Sequence, residues 1–141
     1  DALSMFFERW SEEELVMDKW LAVQSSSTCS DTLARVKALK KHPSFSLSNP
    51  NKVRALIRTF AANPMHFHLE SGEGYRFVAD CVLELDKINP QIAARIVGVF
   101  SSWKNFEPIR RNLMKLELER LQKHKGLSVD SLEIIDMSLD N

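Results

Sequence analysis

Apolar residues recur along this chain at helical spacing almost from end to end. Val53, Leu56, Ile57 and Phe60 fall at i, i+3, i+4 and i+7, the stripe of a helix with one buried face. Ile92, Ile96, Val99, Phe100 and Trp103 repeat that spacing. Each stripe follows an Asn-Pro pair, Asn49-Pro50 and Asn89-Pro90, and a third pair, Asn63-Pro64, lies between them. The Asn side chain can accept from first-turn amides, and Pro suits the first helical position because it has no N–H to lose. At least two of the three are expected to open helices.

Other punctuation is also helical. Ser11 with Glu14 three residues on reads as the capping box of a helix running to about Gln24. Asp31 reads as the cap of a short helix to about Lys40. Gly72 and Gly74, free at positive φ, suit the turn that launches a helix over Tyr75 to Leu85. Glu107-Pro108 opens what should be the longest helix, reaching about Lys123 and stopped near Gly126, and Ser128 caps a last one to about Leu139. Ile109, Leu113 and Leu116 lie opposite Met114, Leu118 and Leu121, so the Glu107-Pro108 helix is expected to be packed on both flanks. The only alternating run, Ser44 to Ser48, is short and has no partner. These signals give an all-α fold of about eight helices stacked as helical pairs in a short superhelical, solenoid-like array, with residues 1–141 as one domain. A bundle of the same helices is the structural alternative.

Composition narrows the function. The 141 residues are 44% hydrophobic and 27% charged, an ordinary globular balance, and 19 basic side chains cancel 19 acidic ones. No long-range field would draw the chain onto nucleic acid or an anionic membrane, and Lys37 to Lys41 reads as the solvated end of a helix. No apolar run approaches the roughly 18 residues that a membrane helix needs. Cys29 and Cys81 are far apart and outside any C-x-x-C, which reads as reduced thiols in a cytoplasmic protein, Cys81 as a small buried apolar group. Leu3, Phe6, Phe7 and Trp10 begin an amphipathic pattern directly after Asp1, the expectation for a segment of a longer chain.

The candidate chemistry is sparse. His66-Phe67-His68-Leu69-Glu70 sets two imidazoles at i and i+2, which converge on a metal only in extended backbone; in a helix they diverge by about 200°. The segment follows a helix-opening Asn-Pro and precedes a glycine turn, so Phe67 and Leu69 should tuck into the core while the histidines cap or hydrogen-bond turn carbonyls. Tyr75 reads as a core residue whose hydroxyl finds a turn carbonyl. No H-E-x-x-H, no G-x-S-x-G and no phosphate loop occurs. Gln91 and Arg95, one turn apart beside the Ile92/Ile96 stripe, and Arg54 after Asn49-Pro50, could line a polar cavity; from pattern alone a plain solvated rim is favoured.

The runs HPSFSLSNPNKVRALIRTF (His42 to Phe60), FHLESGEGYRF (Phe67 to Phe77) and LDKINPQIAARI (Leu85 to Ile96) strongly resemble the C-terminal helical domain of bacterial aminopeptidase N, the zinc-dependent alanyl aminopeptidases. FFERWSEEELVMDKW, Phe6 to Trp20, looks like the same family just upstream. The resemblance implies a parent enzyme that removes N-terminal residues from peptides with a zinc held elsewhere in its chain. It implies that this segment has no catalytic residue, binds no metal, packs on the catalytic domain and closes over the substrate chamber. It also implies that Gln91, Arg95 and Arg54 face that chamber as substrate-binding residues. Leu127 onward departs most from the family pattern. A free-standing helical scaffold that binds a partner protein in its groove is the alternative.

Overall fold

The computed structural model describes the backbone of residues 2–43 and 45–140 and the side chains of residues 13–43 and 45–140. The described residues form eight helices and no strand. They are α1 (Ala2–Ser26), α2 (Thr32–Lys40), α3 (Pro50–Val53, Arg54–Arg58 and Thr59–Ala61 in succession), α4 (Pro64–Phe67), α5 (Glu73–Asp86), α6 (Pro90–Val97), α7 (Pro108–Gln122) and α8 (Val129–Asp140). The all-α expectation holds. The chain divides into two compact units, residues 1–60 and 61–141.

In the first unit α1 packs on α2 and α3. At 25 residues α1 is the longest helix described, so the Glu107-Pro108 helix, with 15, is not. Ser11 lies inside α1 rather than at its cap, because the helical pattern is already under way before it. The side chains of Leu3, Phe6, Phe7, Trp10 and Ser11 lie outside those described. Glu14 does not complete a capping box either; its carboxylate meets Lys52. Asp31 does precede α2, but its carboxylate pairs with Arg35 at 2.9 Å and caps no amide. Asn49 caps α3 as expected, accepting from the amides of Asn51 and Lys52.

The middle of α3 widens into a π turn over Arg54–Arg58, where the Thr59 hydroxyl donates to the Arg54 carbonyl at 3.1 Å. The stripe Val53, Leu56, Ile57 and Phe60 is fully buried. Ser25 ties α1 to α3 by donating to the Leu56 carbonyl at 2.7 Å. Lys52 is buried with its ammonium donating to Glu14 at 2.7 Å and to Asp18 at 2.5 Å. Burial would lower the Lys52 pKa, but hydrogen bonds and charge from Asp18 and Glu14 outweigh it and hold the ammonium above its ordinary 10.5.

In the second unit α5 lies against α6 and α7, and α8 closes on α6 and α7. Tyr75, Val78, Cys81, Val82 and Leu85 are the buried face of α5. Gly72 takes φ +82° at the entrance to α5, as expected of one glycine there. Gly74 has a different reason to be glycine: a Cβ would sit 2.4 Å from the His66 carbonyl oxygen and 2.5 Å from that of Phe67, so α4 can approach α5 only without a side chain. The apolar pattern after Asn89 is interrupted: α6 ends at Val97, and a 3-10 turn over Gly98–Phe100 carries Phe100 into the core.

α7 is packed on one flank. Met114, Leu118 and Leu121 are fully buried, worth about 1.5–3 kcal/mol each over exposure. Ile109 and Leu116 are 52% and 59% exposed. Periodicity marked both stripes as apolar, but only tertiary packing decides which one is covered. The start of α8 is fixed by Asp86, which accepts from the Ser128 amide at 2.7 Å, the Ser128 hydroxyl at 2.6 Å and the Ser131 hydroxyl at 2.7 Å. Ser128 in turn caps the Ser131 amide, as expected of it. Further along α8 the Trp103 indole donates to the Ser138 carbonyl at 2.9 Å.

Candidate functional site

The dipeptide Asn89-Pro90 sets the position of the first candidate. Asn89 accepts from the Ile92 amide at 3.3 Å, which starts α6 with Ala93, Ile96 and Val97 turned inward. Gln91 and Arg95 then fall one turn apart on its exposed side. They line an open groove of about 410 Å³ with Ala94 from α6 and with Asp130, Glu133 and Ile134 from α8. Arg95, Asp130 and Glu133 make no ion pair with one another within 4.0 Å, so both charge signs are displayed uncompensated along one groove. Arg54 lies in the first unit, exposed at the start of the π turn, its guanidinium 3.4 Å from the Asn51 side-chain oxygen. No local sequence signal marks Asp130 and Glu133, whose place opposite α6 depends on how α8 docks.

The second candidate is the HFH segment. α4 is a single helical turn capped by Asn63, so the two imidazoles point apart. His66 is buried and neither ring nitrogen has a hydrogen-bond partner among the described residues, contrary to the expectation that it bonds a turn carbonyl. Phe67 is buried as expected, while Leu69 is half-buried.

His68 stacks on Phe106 with centroids 4.5 Å apart, and its Nδ1 lies 2.6 Å from the Tyr75 hydroxyl. That bond replaces the turn carbonyl expected for each of them. Burial pushes the Tyr75 phenol up to about 12, only partly opposed by the Arg110 charge, so it stays protonated. The His68 imidazole can accept or donate in this bond, according to its tautomer. Burial, with the Arg110 charge, holds its pKa below the ordinary 6.5. Arg110 clamps the turn by donating from Nε to the His68 carbonyl at 2.7 Å and pairs with Glu107 at 2.9 Å. Glu107 also caps α7, as expected of Glu107-Pro108, by accepting from the Ile109 and Arg110 amides. Pro64, Met65, His68, Phe106, Glu107 and Arg110 border an open hollow of about 610 Å³.

Neither place fits zinc. No three His, Cys, Asp or Glu side chains converge among the described residues, and His68 spends Nδ1 on a phenol. No described helix is long and apolar enough to cross a membrane.

Residues 1–140 match the family described as a domain of unknown function, DUF3458_C, with ARM repeats. The chain belongs to this family. Its ARM-repeat description accords with the stacked helical pairs expected from the sequence. The DUF3458_C chain is 45% identical over 139 residues to aminopeptidase N of Caulobacter vibrioides, covering 98% of this chain and 16% of that protein. It is 38% identical over 141 residues to aminopeptidase N of Escherichia coli, covering 99% of this chain and 16% of that protein. Among solved structures, Legionella pneumophila aminopeptidase A in complex with aspartic acid superposes with a TM-score of 0.88 at 36% identity, over 99% of this chain and 16% of that one. The resemblance to bacterial aminopeptidase N is thus borne out, and the chain spans about a sixth of the length of the relatives it matches.

Proposed function

We propose that residues 1–141 act as one helical domain, the C-terminal domain of a longer cytoplasmic zinc metallo-aminopeptidase that removes N-terminal residues from peptides. The observation that carries this reading is similarity to two aminopeptidase N chains over 98% and 99% of this sequence, confined to 16% of theirs. In this reading catalysis and zinc belong to the rest of the polypeptide. This segment packs on the catalytic domain, closes over the active-site chamber and governs which peptides enter.

Gln91, Arg95 and Arg54 are the substrate-binding residues of this domain. All three are exposed, and Arg95 pairs with no carboxylate among the described residues, so its donors are available to peptide carbonyl or carboxylate oxygens. The test is release of the first residue from alanine-led peptides with free and with acetylated amines. The full polypeptide should act on the free-amine peptides only, and residues 1–141 alone on neither. Turnover by the isolated 141 residues, or none by the full polypeptide supplied with zinc, would overturn the reading.

A further inference from the structure

The described side chains of α1 divide into two faces. Leu21 and Ser25 are buried and Glu14 and Asp18 reach Lys52, so this face packs on α2 and α3. At about 100° per residue, Leu15, Val16, Trp20 and Val23 fall within about 140° of one another on the other side of the helix. These four are between 42% and 64% exposed, and Val16, Trp20 and Val23 keep the i, i+4, i+7 spacing of a buried stripe. Lys19 is the one charged residue among the described side chains of that arc, and it pairs with no carboxylate among the described residues. Single exposed apolar side chains are ordinary, but four on one helix face, a tryptophan among them, mark a surface that another element covers.

The comparisons indicate what that element is. The family matched by residues 1–140 is described as ARM repeats, and in such arrays each helical unit packs on its neighbours, with a polar outer face only where the array ends. The outer face of α1 is apolar. The chain covers 16% of each aminopeptidase N described above, so most of a related polypeptide lies outside these residues. In the functional reading above that remainder precedes Asp1, and α1 is the described helix nearest to it along the chain.

We propose that the Leu15, Val16, Trp20 and Val23 face of α1 is the docking surface for an amphipathic helical unit of the same polypeptide, one that precedes Asp1 in the longer chain. The inference rests on the reading that residues 1–141 are the C-terminal part of that chain. The docked unit brings an apolar stripe to the four side chains. It also sets a carboxylate or carbonyl oxygen within reach of Lys19, because covering the face would otherwise leave that ammonium without an acceptor.

The test is hydroxyl-radical oxidation of the purified full polypeptide, read at Trp20 by peptide mass mapping and compared with the same residue in the free proteolytic peptide. Trp20 should oxidise at least about tenfold more slowly than in the peptide, whereas a face as open as α1 alone leaves it would oxidise within about threefold of it. The protection should survive dilution of the polypeptide, and a Val16→Asp, Val23→Asp double variant should abolish it at Trp20 while Leu21 on the packed face stays protected. Protection that disappears on dilution would assign the face to a second copy and overturn the proposal. So would protection of Trp20 that survives both substitutions. An open Trp20 in a polypeptide that still releases N-terminal residues overturns the docking surface and leaves the functional reading standing; an open Trp20 with no release removes both.

Discussion

An Asp18→Ala, Glu14→Ala double variant is expected to lose about 3–5 kcal/mol of folding stability, the largest effect foreseen for any change in this chain. Lys52 is the reason. Its side chain is 2% exposed, and among the described residues its ammonium has only these two carboxylates, themselves 22% and 40% exposed, as acceptors. Taking both away leaves a buried charge with no counterion, whereas Lys52→Met removes the charge along with its need for one. Lys52→Met should therefore cost clearly less than the double variant in urea unfolding, although it removes the residue at the centre of the network. The same bonds hold the Lys52 pKa above 10.5, so the stability they contribute is fully present below pH 10.5 and is lost as pH rises through the higher folded value. If Lys52→Met costs as much as the double variant, the stranded-charge account is wrong.

Asp86→Ala should lower stability by about 3 kcal/mol, because three donors at the start of α8 lose their only charged acceptor together. Burial alone would raise this carboxyl; the Ser128 and Ser131 hydrogen bonds, with the His124 charge, outweigh it and hold Asp86 below its ordinary 3.8. A lowered folded pKa gives stability that is present above pH 3.8 and lost as pH falls through the folded value. The gap between wild type and Asp86→Ala should accordingly be constant near neutrality and narrow in acid. A gap that persists unchanged well below pH 3.8 would show that packing, not the carboxylate, fixes α8.

The contrast between these two networks and the caps shows what a sequence can disclose. Asn49, Asn63, Asn89, Glu107 and Ser128 were readable because a cap and its amides lie within three residues of each other. Lys52 is 34 and 38 residues from its partners, and Asp86 is 42 and 45 from its own, distances at which no local pattern exists. Ser11 misled for the converse reason: S-x-x-E is a local signal, and a helix already running through it overrides it. Gly74 looked like a turn residue, yet only the approach of the α4 carbonyls explains it. In the candidate site Gln91 and Arg95 could be named from one helix face and a family motif. Asp130 and Glu133 could not, since nothing before the docking of α8 sets them against that face.

The central claim is that Arg95 lies on the path of peptides through a larger enzyme, and the KM of an Arg95→Ala variant of the full polypeptide tests it most directly. The account predicts a rise of about tenfold for peptides long enough to reach the groove, with a clearly smaller change for a small chromogenic amino-acid amide. Equal effects on the two substrates would contradict it, because a residue that only props the fold has no means of telling a long peptide from a short one.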